Sequence, residues 1–318
     1  MRRRDLFALA ASATMLSPHP AATQQRMHTI GVLSVGDPEP LLRELRDQLR
    51  RLDYLEGQNL RFEVRQGTGD VDLLRPFAEE LVRLRVDVIV ARLTPAAQAA
   101  KAATRTIPIV MAPAGAPVET GLVASLARPG GNVTGFSIAT AEVSGKRLEL
   151  IRDIVPAARR VAIFANAADP FAEPLVAETE QAAPSLGLTT AAILVRDSRD
   201  LAAAFATAAN ERADAAILQG SLPNKPAAEM ALKHRLPLFG TNRPTVEAGA
   251  LMSYSGQVQE AYSQAATFVD KLLKGAKAIE LPVQQSTRFE IVINLKTAKA
   301  LGLAVPQSIL ARADEVIE

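Results

Sequence analysis

The 318-residue chain has no cysteine. That removes disulfides, thiolate zinc sites, cysteine nucleophiles and a lipidated N-terminal cysteine together. Tryptophan is also absent and aromatic residues make up only 4%, which argues against stacking platforms for single-stranded nucleic acid. Histidine is rare: His19, His28 and His234 are widely spaced, so no metal site is expected. A surplus of basic charge is missing as well. The formal net charge is +2, and Arg2, Arg3, Arg4 and Asp5 account for it. With no basic block further along, a nucleic-acid partner is not expected. No apolar run reaches the roughly 20 residues that a membrane span needs.

Catalytic patterns are lacking too. There is no Gly-x-Ser-x-Gly elbow, and the later histidines sit in no recognisable triad setting. Gly130-Gly131 is not followed by the helix and Lys-Ser/Thr of a phosphate loop, and reads as a turn. The expectation is a protein that catalyses nothing and carries no cofactor.

What is present begins with an address. Arg2-Arg3-Arg4 precedes a short apolar stretch from Leu6 to Leu16, and Ala21-Ala22-Thr23 follows. Residues 1–25 read as a signal peptide, with Thr23 where a small alanine is expected at cleavage. Arg3-Arg4-Asp5-Leu6-Phe7 also fits a twin-arginine pattern. The expected location is the periplasm.

From residue 28 onward, strand-like and helix-like runs alternate. Residues 29–35 and 86–91 are apolar strand candidates, and 59–65 alternates with Leu60, Phe62 and Val64 on one face. Leucines at 41, 42, 45, 49 and 52 form a helical stripe. Helices are also expected at 71–84, at 95–104 with Thr94 as N-cap and Pro95 at the first position, and at 119–127. Strands follow at 107–112 and 133–137.

A second array of similar size then runs through a helix at 141–154, a strand at 160–165, a helix at 170–186 stopped by Gly187, and a strand at 189–195. Further runs lead to a long helix at 257–274. Apolar strands in βαβ series imply parallel sheets covered by helices on both faces. The expected fold is α/β, with two doubly wound parallel-sheet lobes. Lobe 1 takes residues 28–137 plus 256–284 and lobe 2 takes 138–255 plus 285–318, joined by a hinge that the chain crosses three times. A monomer is expected.

Ligands in such sheets bind beyond the carboxyl ends of the strands. This places candidate contacts at Ser34, Asp37, Arg92, Thr94, Pro95, Ala114 and Ser137 in the first lobe, and at Asn166, Gln219, Thr241 and Tyr254 in the second. The helix start at Thr94-Pro95 suits an anion; Thr94 could bind that anion or cap its own helix. Arg92 could pair with a carboxylate. Asp37 could receive an amino group or bond its own turn. Asn166 and Gln219 could orient a ligand, Tyr254 could stack on it or line the hinge, and Phe239 is read as core.

Several longer segments carry a family resemblance. Ala127-Arg128-Pro129-Gly130-Gly131-Asn132-Val133-Thr134-Gly135 is one; Glu247-Ala248-Gly249-Ala250-Leu251-Met252-Ser253-Tyr254 is another. Leu281-Pro282-Val283-Gln284-Gln285 and the run from Phe289 to Leu303 complete the set. In this order they resemble the ABC transporter substrate-binding proteins of the type I periplasmic fold, over residues 28–318. The resemblance implies capture of a small molecule between two lobes and delivery to an ABC permease in the inner membrane. It also implies a ligand such as an amino acid or another small carboxylate, since the family includes tryptophan- and tyrosine-binding members. A periplasmic sensor subunit for a membrane receptor kinase is the alternative. One departure stands out: Gly115-Ala116-Pro117-Val118 occupies a loop that is usually Ser-Asp-Pro-Val, with Ala116 in place of Asp.

Overall fold

The computed structural model describes residues 26–67, 70–138, 141–196 and 198–318. The leader read at residues 1–25 lies outside the described residues. The first array comprises β1 (His28–Ser34), α1 (Glu39–Arg50), β2 (Leu60–Gln66), α2 (Leu74–Arg83), β3 (Val88–Arg92), α3 (Thr94–Ala103), β4 (Ile109–Gly115) and β5 (Val133–Ile138). The second continues with α4 (Ala141–Ile154), β6 (Arg160–Asn166), α5 (Ala172–Ala182), β7 (Thr189–Val195), α6 (Leu201–Asn210), β8 (Ala215–Leu218) and α7 (Asn224–Lys233). Then come β9 (Leu238–Gly240), α8 (Arg243–Glu247), β10 (Met252–Gly256) and α9 (Val258–Leu273). The tail holds β11 (Gln284–Gln285), β12 (Phe289–Asn294), α10 (Leu295–Leu301), α11 (Gln307–Leu310) and β13 (Glu315–Ile317).

Two sheets result, ordered β11-β5-β4-β3-β1-β2 and β13-β12-β10-β9-β8-β6-β7. Among the described residues, every strand pairing is parallel except one: β12 runs antiparallel to β10. The expected pair of doubly wound, parallel-dominated sheets is what forms, with this single reversal. Gly256 at the end of β10 sits opposite Phe289 at the start of β12. The chain leaves the second sheet at that end and re-enters beside it, so β12 has to run back.

Each sheet is sandwiched between two apolar clusters. On the first, Leu41, Leu42, Leu45 and Leu49 of α1 pack with Ile30, Val32, Val88 and Val110, and α9 adds Tyr262, Ala265, Phe268 and Val269. The helix α9 thus covers the first sheet, although it follows a strand of the second. The opposite face carries α2 and α3. On the second sheet, α4 packs on one face and α6 and α7 on the other.

Two local readings are corrected. The leucine stripe ends at Leu49; Leu52 is 38% exposed, because the chain turns through Asp53 at a positive φ of 66°. Residues 119–127 form turns instead of a helix. Ala116 and Gly121 both take left-handed backbone angles, φ 43° and 69°, and the hydrogen bond from Val123 to the Pro117 carbonyl closes a compact loop. Among the described residues, no helix is long and apolar enough to cross a membrane.

Candidate functional site

The carboxyl ends of strands from both sheets meet at one interlobe cavity. Its empty volume is about 740 Å³, counting the part open to solvent. The first sheet supplies Arg92, Leu93 and Thr94 after β3, Pro113 and Gly115 in β4, and Ile138 at the end of β5. Opposite them are Asp169 and Phe171 after β6, Gln219, Gly220 and Ser221 after β8, and Thr241 and Asn242 after β9. Helix α4 adds Val143, Ser144 and Arg147, and α9 adds Val258 and Tyr262.

Arg147 dominates the electrostatics. It is 3% exposed, and Nη2 donates to the Tyr254 carbonyl at 3.0 Å. Its Nε and Nη1 have no hydrogen-bond partner among the described residues. Burial lowers its pKa to about 10, opposed by the nearby Glu178, so the guanidinium stays charged at neutral pH. A buried cation with unused donors is costly unless an anion reaches it.

A carboxylate faces the same cavity. Asp169 accepts from Ser221 Oγ at 2.6 Å and Gln219 Nε2 at 2.7 Å on Oδ2, and from the Phe171 amide at 2.9 Å on Oδ1. Burial nevertheless pushes its pKa up to about 6; the three hydrogen bonds oppose that rise only in part. The network extends outward: Gln219 Oε1 accepts from the Asn166 amide at 2.8 Å, and Asn166 Oδ1 from the Ala168 amide at 3.0 Å.

Of the residues singled out from sequence, Arg92, Thr94, Gln219 and Thr241 line this cavity. Arg92 is held by Tyr262, its Nε donating to the hydroxyl at 2.9 Å. Thr94 is not the N-cap expected of it. Leu93 occupies that position at φ 71° and ψ 160°, a region that side chains rarely adopt, and Pro95 is the second helical residue. The Thr94 hydroxyl instead bonds Gly115, accepting its N–H at 3.0 Å and donating to its carbonyl at 3.3 Å. Thr241 Oγ1 accepts from the Gly220 amide at 2.8 Å. Asp37 lies in the outer cleft with Arg92, Asn224 and Glu247, and its Oδ1 accepts from the Glu39 amide as a turn aspartate does.

The others are placed off the cavity wall. Ser34 is buried and donates to the Gly36 carbonyl. Pro95 is buried beneath the helix start. Ala114 and Ser137 pair with each other across β4 and β5. Asn166 braces Gln219 from behind. Tyr254 stacks on Phe289, centroids 5.7 Å apart, beside the exit of β10. Phe239 is core.

Sequence reasoning missed Arg147, Phe171 and Tyr262 because they sit on or at the start of helices, away from the strand-end rule. A signal existed for Arg147. It falls on the buried stripe of α4 between Val143 and Ile151, where a cation is out of place.

Two doubly wound sheets whose strand tips enclose a cavity between them define the type I periplasmic binding fold, shared with more distant solved periplasmic binding proteins. The chain belongs to the ABC transporter substrate binding protein family, whose model matches residues 41–317. It is 27% identical over 256 residues to a tyrosine-binding protein of Clostridioides difficile (strain R20291), covering 79% of this chain and 73% of that one. A conserved domain protein from Vibrio cholerae superposes with a TM-score of 0.85 at 28% identity, over 92% of this chain and 100% of the other. The ABC domain from Streptococcus pneumoniae, solved in complex with L-Trp, gives 0.83 at 25% identity with the same coverage.

Proposed function

We propose that this protein is the exported, periplasmic component of an ABC import system, and that its interlobe cavity takes an amino acid or a comparable small carboxylate for a membrane permease. The observation that carries this reading is Arg147, a buried guanidinium lining the cavity with two nitrogens unpartnered. A carboxylate adds a negative charge beside the guanidinium and supplies the missing acceptors. The start of α3 at Thr94 adds a positive dipole end on the opposite wall. Asp169 receives an ammonium group. Phe171, Tyr262, Leu175 and Val258 offer an apolar surface to a side chain, and two relatives are described with tyrosine and L-Trp as ligands.

Closure around the ligand is the productive event, because only a ligand bound better by the closed form shifts the population towards it. Calorimetric titration with L-amino acids, the matching deaminated carboxylates, and sugars tests the reading. Binding of carboxylates, tightest where an ammonium is also present, is the expected outcome. Heat from sugars with none from any carboxylate would overturn it. Export is tested by fractionating cells that express the full chain and its Arg3→Lys/Arg4→Lys variant; only the former should reach the periplasm.

A further inference from the structure

Gly115 ends β4 on one wall of the cavity, and Phe171 stands just before α5 on the other. A carbon placed where the Gly115 side chain would begin lies 2.7 Å from Cδ2 and Cε2 of Phe171 and 2.8 Å from Cγ. The ring therefore rests on bare backbone, and the two walls meet through a notch that only a glycine leaves open. Both partners are held. The N–H and carbonyl of Gly115 are bonded to Thr94. The amide of Phe171 is bonded to Asp169, itself anchored by Ser221 and Gln219.

Two details separate this contact from ordinary crowding. The clash involves Cγ, the root of the ring, which rotation about the ring axis does not move. Gly115 is also absent from the glycines with left-handed backbone angles, so its backbone does not bar alanine, and the three nearest atoms that a side chain would meet all belong to the opposing ring.

We infer that Gly115 is the closure determinant of this protein: the Phe171 ring seats on it only when the lobes are shut, and any side chain at 115 holds them apart. Because the ring also lines the cavity, the same contact fixes the distance between the walls and hence the thickness of ligand that can be enclosed. The ligand consequence rests on the interlobe capture proposed above; the closure itself does not.

The absence of cysteine makes the test direct. Arg43 and Lys225 are exposed, on α1 and α7 of opposite lobes. Both are changed to cysteine and spin-labelled, and distance distributions are measured with and without L-tryptophan and L-tyrosine. The wild-type background is expected to show a short-distance population. Gly115→Ala should lose it and bind either probe at least tenfold more weakly. The double variant Gly115→Ala/Phe171→Ala should recover the short distance and the wild-type melting temperature. Should the single variant fail to fold while the double variant folds, the ring is again identified as the obstacle. The inference is overturned if Gly115→Ala keeps the short population, if the double variant stays open or unfolded, or if the wild type shows no short population in either condition. If the wild type binds neither probe nor any other carboxylate, the ligand reading fails, and the label distances still decide the closure.

Discussion

The Thr94 hydroxyl holds both backbone polar groups of Gly115, taking its N–H at 3.0 Å and giving its proton to the carbonyl at 3.3 Å. One side chain thereby fixes the end of β4 to the start of α3, and both lie on the cavity wall. Thr94→Val keeps the shape and removes these bonds, leaving a buried amide unpaired. A loss of about 1–3 kcal/mol is expected, read by urea denaturation, and Thr94→Ser should restore most of it.

Arg147 is expected to oppose stability and support binding. Arg147→Met removes a buried cation with two unpartnered nitrogens and fills the space with methylenes, so the ligand-free protein should gain stability, on the order of 1–4 kcal/mol. Affinity for a carboxylate should fall about 10–100-fold, matching the 1.5–3 kcal/mol or so of a hydrogen bond to a charged group. Thermal denaturation without ligand and calorimetric titration with it should therefore move in opposite directions.

Asp169 sets a pH dependence whose sign follows from its raised pKa. The unfolded carboxyl titrates near 3.8 and the folded one near 6, so between those values the folded state holds a proton that the unfolded state has released. Its contribution to stability is greatest below about pH 4 and is lost as pH rises through 6, by about 3 kcal/mol at most. Asp169→Asn should flatten that slope in denaturation curves. Ligands bearing an ammonium group need the ionised form, so their affinity should drop about tenfold per unit below pH 6, while carboxylates without an amine should lack that step.

Backbone angles predict two opposite outcomes for small residues. Ala116 sits at φ 43°, a left-handed conformation costing about 1–2 kcal/mol for an alanine. Ala116→Gly should stabilise by up to about 1 kcal/mol after the entropy of glycine is set against it. Gly135 has φ 124°, and a side chain there would meet the Met111 backbone at 2.5 Å. Gly135→Ala should cost more than the roughly 1–3 kcal/mol of backbone strain alone. Urea midpoints for the two variants give the comparison.

Much of the architecture was legible because local pattern and burial agree. The leucines of α1 and the apolar run through β3 are buried as their spacing implies. The left-handed Gly187 ends the short helical turn Ala183–Leu186 after α5 where the sequence placed the stop, and Gly302 ends α10 in the same way. Strands β11 and β13 have two and three residues, too few for any periodicity to register. The direction of β12 depends on where the chain re-enters the sheet, which no local pattern encodes. In the cleft, Arg92, Thr94, Gln219 and Thr241 followed from the rule that ligands gather at strand tips. Arg147 and Tyr262 reach the same space from helices whose orientation only the packed lobes determine.

The pairing of β4 with β5 slips by one residue between Met111 and Ala114, with Pro113 inside the irregularity. A strand that counts one extra residue reverses which side each later residue faces. Gly115 owes its place on the wall to that count. Substitutions along this edge can therefore reshape the cavity wall without disturbing the strand pairing. Gaining or losing a single residue at 112–113 would turn the edge inside out and present different atoms to the cavity.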